Sequence, residues 1–302
     1  MPEIIEVKSY SDFIKKNALN KQLLDIKIIR GRYITHGPFE HYKEIKRKLP
    51  LKLIKVGGKG KYMYLEFEDN YYIGVTLGLY GGWFFNKKDS DKLIHGLHKD
   101  LRYGQDETNN YVESAKKHIN VKFIFESGTL SFYDVLSFGT IKIFTSKEEL
   151  EKKISKIGLD IMDINTTFDM FSEKINKKSN LDKFIGLILL KQNIIAGVGN
   201  YLRADALWMS KISPFRKVKN INNDELYKLY YNLRLLTWGS YNRNKGIKLK
   251  IIKKTDKLPS DYGRSFFVYY QDEDINKNEV KMEKLYEGSQ IRYIHWTPKV
   301  QK

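Results

Sequence analysis

Pro2 is the residue with the most chemistry open to it. Removal of Met1, which a small second residue favours, would expose a secondary amine. A free α-amino group starts at a pKa of about 8. The positive end of a helix dipole lowers it by disfavouring the ammonium. Proline suits the first turn of a helix, and the sequence predicts Pro2 there. A neutral amine can attack a sugar C1′ to give an iminium, which activates the sugar for elimination. Glu3 beside it supplies a carboxyl group to protonate the ring oxygen and then shuttle protons. Met-Pro-Glu alone is a common opening and specifies little. Lys61, after Gly60, enters an apolar run; Lys59 is its alternative, and a plain surface charge is the simplest reading. Asn200 follows Gly197-Val198-Gly199 at an expected helix start. Backbone N–H groups and the Asn amide there would make a phosphate site; the simpler role is an N-cap. Arg292 stands in a run that reads as a small β-finger, Gly288 to Trp296. His95 and His98 lack further metal ligands, so their spacing predicts a solvated helix face rather than a metal site.

The first half of the chain, which must position the amino terminus, is mostly strand. Tyr62–Phe67 and Tyr71–Thr76 flank Glu68-Asp69-Asn70, a hairpin pattern. Val121, Phe123 and Phe125 alternate with Lys122, Ile124 and Glu126, and Ser127-Gly128 turns the chain into another strand through Phe132. Such alternation predicts half-buried antiparallel sheets in a sandwich or barrel. Lys87–Asn120 is polar and reads as an excursion from the sheet. Ser146 with Glu149 predicts a capping box opening a helix with Leu150, Ile154 and Ile157 on one face. After about residue 160 the pattern becomes helical. Phe168, Phe171 and Ile175 share a face, Leu181–Leu190 reads as a buried helix, and Leu226, Leu229, Leu233 and Leu236 have helical spacing. The Lys/Arg-rich stretch from Gly239 to Gly263 reads as a mobile loop. Phe266–Gln271 and Ile291–Trp296 read as the strands of a terminal hairpin.

The chain has 302 residues, room for two domains, and a formal net charge of +18. That charge suits a polyanion, because each neutralised phosphate releases counterions. Solubility alone is the plain alternative. There is no long apolar run or basic amphipathic anchor for a membrane. The chain has no cysteine, which excludes disulfides and thiolate metal ligands. No secretory signal pattern opens it, so an intracellular site is expected: nucleus, cytoplasm or a viral replication site.

Several segments resemble the Fpg/Nei DNA glycosylases, formamidopyrimidine-DNA glycosylase and endonuclease VIII. Pro2-Glu3 with Glu6 matches their opening, although Ile5 replaces the usual proline. Gly60-Lys61-Tyr62 matches their lysine before a Tyr-led strand. Leu77-Gly78-Leu79-Tyr80-Gly81-Gly82-Trp83 is closer to the endonuclease VIII version of a loop that enters the duplex. Asp134 to Gly139 matches a second loop at Phe138 and Gly139, but Leu136 and Ser137 replace its arginines. Lys191 to Tyr201, continuing to Pro214, matches the family's helix–two-turn–helix and is the most specific likeness. The resemblance implies an α+β fold: an N-terminal β-sandwich with a long first helix (1–146), a linker helix (147–160), a helix–two-turn–helix domain (161–260) and a finger hairpin (261–302). DNA would lie in a basic cleft. It makes Pro2 the Schiff-base nucleophile, Glu3 its acid/base partner and Lys61 a phosphate ligand that assists catalysis. Leu79 becomes the wedge that fills the gap left by a flipped nucleotide, with Tyr80 and Phe138 beside it. Asn200 and Arg292 bind phosphates. Without cysteine the finger resembles the zincless branch of endonuclease VIII-like enzymes, held by packing of Phe267, Tyr269, Tyr293 and Trp296. The implied activity is a monomeric bifunctional glycosylase/AP lyase needing no metal or cofactor. It would act on oxidised pyrimidines or hydantoins in double-stranded DNA, with single-stranded DNA a further substrate. The rivals are an Fpg-type oxidised-purine enzyme, a silent binder of damaged DNA and a general nucleic-acid-binding module.

Overall fold

The computed structural model describes residues 2–90, 92–97, 109–242, 258–259, 262–263 and 265–302, without the side chains of 109–111. These group into two compact units, Pro2 with Glu6–Lys156, and Glu3–Ile5 with Ile157–Lys302. No helix among the described residues is long and apolar enough to cross a membrane.

The first unit runs α1 (Ile4–Ala18), β1 (Gln22–Ile28), α2 (Arg32–Thr35), α3 (Tyr42–Lys48), β2 (Leu51–Lys59), β3 (Tyr62–Phe67), β4 (Tyr72–Thr76), β5 (Gly81–Lys87), β6 (Leu93–His95), α4 (Asn109–Lys116), β7 (Ile119–Phe125), β8 (Gly128–Asp134), β9 (Thr140–Phe144) and α5 (Lys147–Ser155). The strands form one nine-stranded antiparallel sheet in the order β6-β5-β8-β7-β1-β2-β3-β4-β9. Both halves contribute to a common core around Trp83, Phe123, Phe132, Met63 and Ile143. The expected sandwich is therefore a single sheet enclosing its own core. Val7, Tyr10, Ile14 and Ala18 recur at helical spacing and give α1 its buried stripe. At the β3–β4 turn Asp69 and Asn70 take φ of 56° and 59°, which Asn and Asp tolerate. The predicted capping box forms in part: Ser146 Oγ accepts from Glu149 N–H at 3.3 Å, whereas the Glu149 carboxylate accepts from Thr145 N–H, one residue before the N-cap. The excursion after Lys87 is only partial, because β6 returns to pair with β5. His95 on β6 is buried beside Tyr133 and Phe84, which corrects the expected solvated helix face. His98 lies outside the described residues.

The second unit contains β10 (Leu159–Asp160), α6 (Phe168–Ile175), α7 (Ile185–Ile188), β11 (Ile195–Ala196), α8 (Asn200–Ser210), α9 (Asn223–Asn242), β12 (Lys281–Glu287) and β13 (Gln290–Trp296). All four spaced leucines of α9 are buried. The apolar run Leu181–Leu190 yields only one helical turn. Its backbone pairs with a neighbouring segment instead: Ile185 N–H donates to Arg216 O and Gly186 N–H to Pro214 O. The hairpin strands are β12 and β13, paired from Lys281↔Trp296 to Glu287↔Gln290. Phe266–Gln271 is not one of them. Of the loop read from Gly239 to Gly263, residues 243–257 and 260–261 lie outside the described residues.

Candidate active site

The residues around Glu3 form the most ordered polar constellation of the second unit. Pro2 and Glu3 precede α1, so the proline is not in the helix's first turn as expected. Glu3 is 1% exposed. Its Oε2 accepts from Gly199 N–H at 2.6 Å and its Oε1 from Tyr201 N–H at 3.0 Å. Ile4 N–H donates to Gly197 O at 3.2 Å. The N-cap of α8 is Gly199, which has no side chain to cap with. Glu3 therefore supplies the capping acceptor from the far end of the sequence, where the positive helix terminus favours a carboxylate. A charge-assisted contact of this kind stabilises by about 1–2 kcal/mol.

Sequence dictates this geometry through the turn before α8. Gly197 has φ +100°, and a Cβ there would sit 2.5 Å from Ile4 Cδ1, so a larger residue would push the amino-terminal segment away. Gln192 braces the turn: its Nε2 donates to Leu190 O and Val198 O, and its Oε1 accepts from Gly197 N–H. Asn200 is the first residue of α8 and half-buried, so it is not the N-cap. Two backbone N–H groups expected to cradle a phosphate, those of Gly199 and Tyr201, are occupied by Glu3.

Arg203 escaped the sequence reading. It is fully buried, and its guanidinium donates to Gly186 O, to Tyr293 O on β13 and to Asn200 Oδ1. Burial pulls it down to about 10, with the nearby Glu3 charge opposing that fall. The available signal was the pair of charged residues Arg203 and Asp205 inside a largely apolar helix run. Arg203 thus ties the strand bearing Arg292 to α8. Arg292 itself is exposed, with Nη2 3.3 Å from Gln290 Oε1.

Asp205, also fully buried, accepts from the N–H groups of Phe267, Val268 and Tyr269. Three consecutive N–H groups converging on one carboxylate require a curled backbone, which is why Phe266–Gln271 is no strand. The packing expected of the finger holds in part. Phe267 stacks on Trp208 at 5.0 Å, Tyr269 meets His295 at 5.2 Å and Trp296 meets Phe215 at 5.3 Å. Tyr293 does not join them: the residue is 49% exposed, and its carbonyl accepts from Arg203. Leu285 and Ile294 are the buried side chains of the hairpin instead. Among the described residues no group of three or more His, Cys, Asp or Glu could hold a metal.

The first unit presents the remaining candidates. Lys61 is half-buried in the two-residue β2–β3 turn, where Gly60 supplies φ +57°. Leu79 and Tyr80 occupy the β4–β5 loop, with Tyr80 51% exposed and Leu79 half-buried. Gly78 packs this loop against the second: a Cβ there would lie 2.6 Å from Gly139 N. Asp134 holds the second loop by accepting from Leu136 and Gly139 N–H, leaving Phe138 60% exposed. Adjacent loops carrying Tyr80, Leu136 and Phe138 outward form an apolar projection that a soluble surface would otherwise avoid.

Comparison with known proteins gives a consistent result. Residues 1–141 match the formamidopyrimidine-DNA glycosylase N-terminal domain, and residues 157–243 match the formamidopyrimidine-DNA glycosylase H2TH domain. A formamidopyrimidine-DNA glycosylase of Ligilactobacillus salivarius is 26% identical over 235 residues, covering 77% of this chain and 75% of the relative. One of Halalkalibacterium halodurans is 32% identical over 157 residues, 51% of this chain and 55% of the relative. The Lactococcus lactis Fpg structure bound non-covalently to DNA with an AP site superposes with TM-score 0.73 at 18% identity, covering 99% of both chains. A wild-type Lactococcus lactis Fpg in complex with oxidised-pyrimidine DNA gives 0.71 at 19% identity, covering all of both chains.

Proposed function

The chain belongs to the formamidopyrimidine-DNA glycosylase family, and from that premise we propose that this DNA glycosylase removes oxidised bases through a Schiff base at Pro2 and then cuts the strand by β,δ-elimination. The observation that carries the reading is the Glu3 carboxylate, held by Gly199 and Tyr201 N–H, which fixes the residue bonded to Pro2. The Pro2 nitrogen attacks C1′ as the base departs with its bonding electrons. The Glu3 carboxylate takes the proton that the Pro2 nitrogen loses on attack and passes it to the ring oxygen, so that the C1′–O4′ bond breaks, the iminium forms and C2′–H becomes acidic. Loss of that proton expels the 3′ phosphate, and a second elimination expels the 5′ phosphate.

Damaged double-stranded DNA is the substrate, and the other residues divide its binding. Lys61, Asn200 and Arg292 neutralise or hydrogen-bond backbone phosphates. Leu79, Tyr80 and Phe138 fill the stack where the nucleotide has left, which is cheapest at a damaged pair. We place the chain in the endonuclease VIII-like branch with a finger held by Arg203, Asp205 and packing rather than zinc. The cysteine-free composition supports this.

Leu136 and Ser137 in place of arginines favour oxidised pyrimidines and hydantoins. A second reading, oxidised purines, draws on the relatives' names. Incision of thymine glycol and 8-oxoguanine duplexes separates them: faster release of thymine glycol is expected, and an 8-oxoguanine preference would transfer the enzyme to the purine reading. Damage-specific binding without release of either base would mark a silent binder.

A further inference from the structure

A cavity of about 680 Å³ lies within the first unit, between α5 and the face of β3, β4 and β9 turned away from the core. Strand alternation builds its floor. Met63, Val75, Ile141 and Ile143 point into the core, so Tyr62, Gly74, Thr140 and Phe144 face outward. The register Tyr62↔Thr76↔Thr140 sets three hydroxyl-bearing side chains in one row. Tyr62 is only 6% exposed, and its buried hydroxyl has no hydrogen-bond partner among the described residues. That hydroxyl lies over Gly74, whose missing Cβ would be 1.7 Å away.

The walls are cationic. Arg32 and Lys142 line one side, and Lys152, Lys153 and Lys156 line the other. Lys142 pairs with Glu40 at 3.3 Å, and the remaining lining carboxylate, Glu149, accepts from Thr145 N–H. The other four cations have no ion pair among the described residues. Lys153 Nζ stands 5.4 Å from the Tyr62 ring centroid. Uncompensated cations around a walled space concentrate anions. The volume exceeds what a lone phosphate fills and falls within the usual range of small-molecule sites. The Tyr62 and Phe144 rings add an apolar surface for a planar base.

We propose that this cavity binds a nucleoside phosphate, with the phosphates on the α5 lysines and the base against the Tyr62–Phe144 wall. The site stands apart from the glycosylase chemistry, and its failure would leave that reading untouched. The nucleotide is either free or part of a nucleic-acid strand.

Isothermal titration of the full chain with dATP tests the proposal. Saturable binding is expected, weakened at least about tenfold by Lys153→Glu with Lys156→Glu, because charge reversal removes charge-assisted contacts. Tyr62→Ala should weaken it by about fivefold through loss of the ring that faces the base. The lysine variants should keep the wild-type Tm and incision rate, since both side chains are exposed. Pyrophosphate should bind more weakly than dATP. Displacement of dATP by a 5′-phosphorylated oligonucleotide assigns the strand as source, and its absence assigns the free nucleotide. No binding of dATP, equal binding by wild type and both variants, or pyrophosphate binding as tightly as dATP would overturn the proposal.

Discussion

At the residue scale Glu3 caps α8 through Gly199 and Tyr201 N–H and, in the proposed function, also carries the acid/base step. Glu3→Gln keeps the side chain's shape but replaces one charged acceptor with a donor facing the Gly199 or Tyr201 N–H. Stability should fall by about 1–3 kcal/mol, the cost of an unsatisfied buried donor. Single-turnover glycosylase rates should fall by about 10²–10⁴, the range of a lost general acid. A stability loss with an unchanged rate would leave Glu3 a cap alone. Arg292 is the opposite case, an exposed side chain with one weak neighbour. Arg292→Ala should weaken duplex binding by about 1–3 kcal/mol through a lost phosphate contact, while thermal unfolding stays within about 0.5 kcal/mol of wild type. A large drop in Tm would make the arginine structural. Pro2, Glu3 and Asn200 were legible through their likeness to family motifs, Asn200 beside Gly197 and Gly199, whereas Met-Pro-Glu alone specifies little. Arg203 and Asp205 were not. Their roles come from the carbonyls and N–H groups of segments 17 to 90 residues away, which no local pattern encodes.

At the scale of elements, legibility followed periodicity. The period-two runs gave β3, β4, β7 and β8, and the leucine stripe gave α9. Leu181–Leu190 misled because apolarity alone does not choose between a helix and a buried segment whose backbone pairs with residues 214–217. Phe266–Gln271 misled because its aromatic and β-branched residues suit a strand, but the N–H groups of Phe267, Val268 and Tyr269 are claimed by Asp205. That carboxylate makes a pH prediction. Burial lifts it to about 6, with the Val268 and Phe267 N–H groups opposing the rise. The folded state therefore takes up this proton at higher pH than the unfolded chain does. Through this group, stability increases as pH falls from about 7 toward 4 and is lost as pH rises through 6. Asp205→Asn should abolish that component: comparing urea midpoints of both proteins at pH 5 and pH 7, the wild type gains more on acidification. An equal change in the two proteins would show that Asp205 titrates normally.

At the scale of the whole molecule, a formal charge of +18 favours a polyanion through counterion release, and the phosphate contacts proposed for Lys61, Asn200 and Arg292 would add to it. Log K for a damaged duplex should fall linearly with log salt, and Arg292→Ala should reduce the slope by about 1. An unchanged slope would remove Arg292 from the phosphate contacts. Charge recruits DNA but performs no chemistry. The central claim is that the amine of Pro2 becomes covalently bound to deoxyribose. Borohydride trapping on an abasic duplex, followed by mass spectrometry of the cross-linked peptide, tests it most directly. The account predicts one adduct, on Pro2 of a chain that has lost Met1. An adduct on Lys61, or full activity in protein that retains Met1, would contradict it.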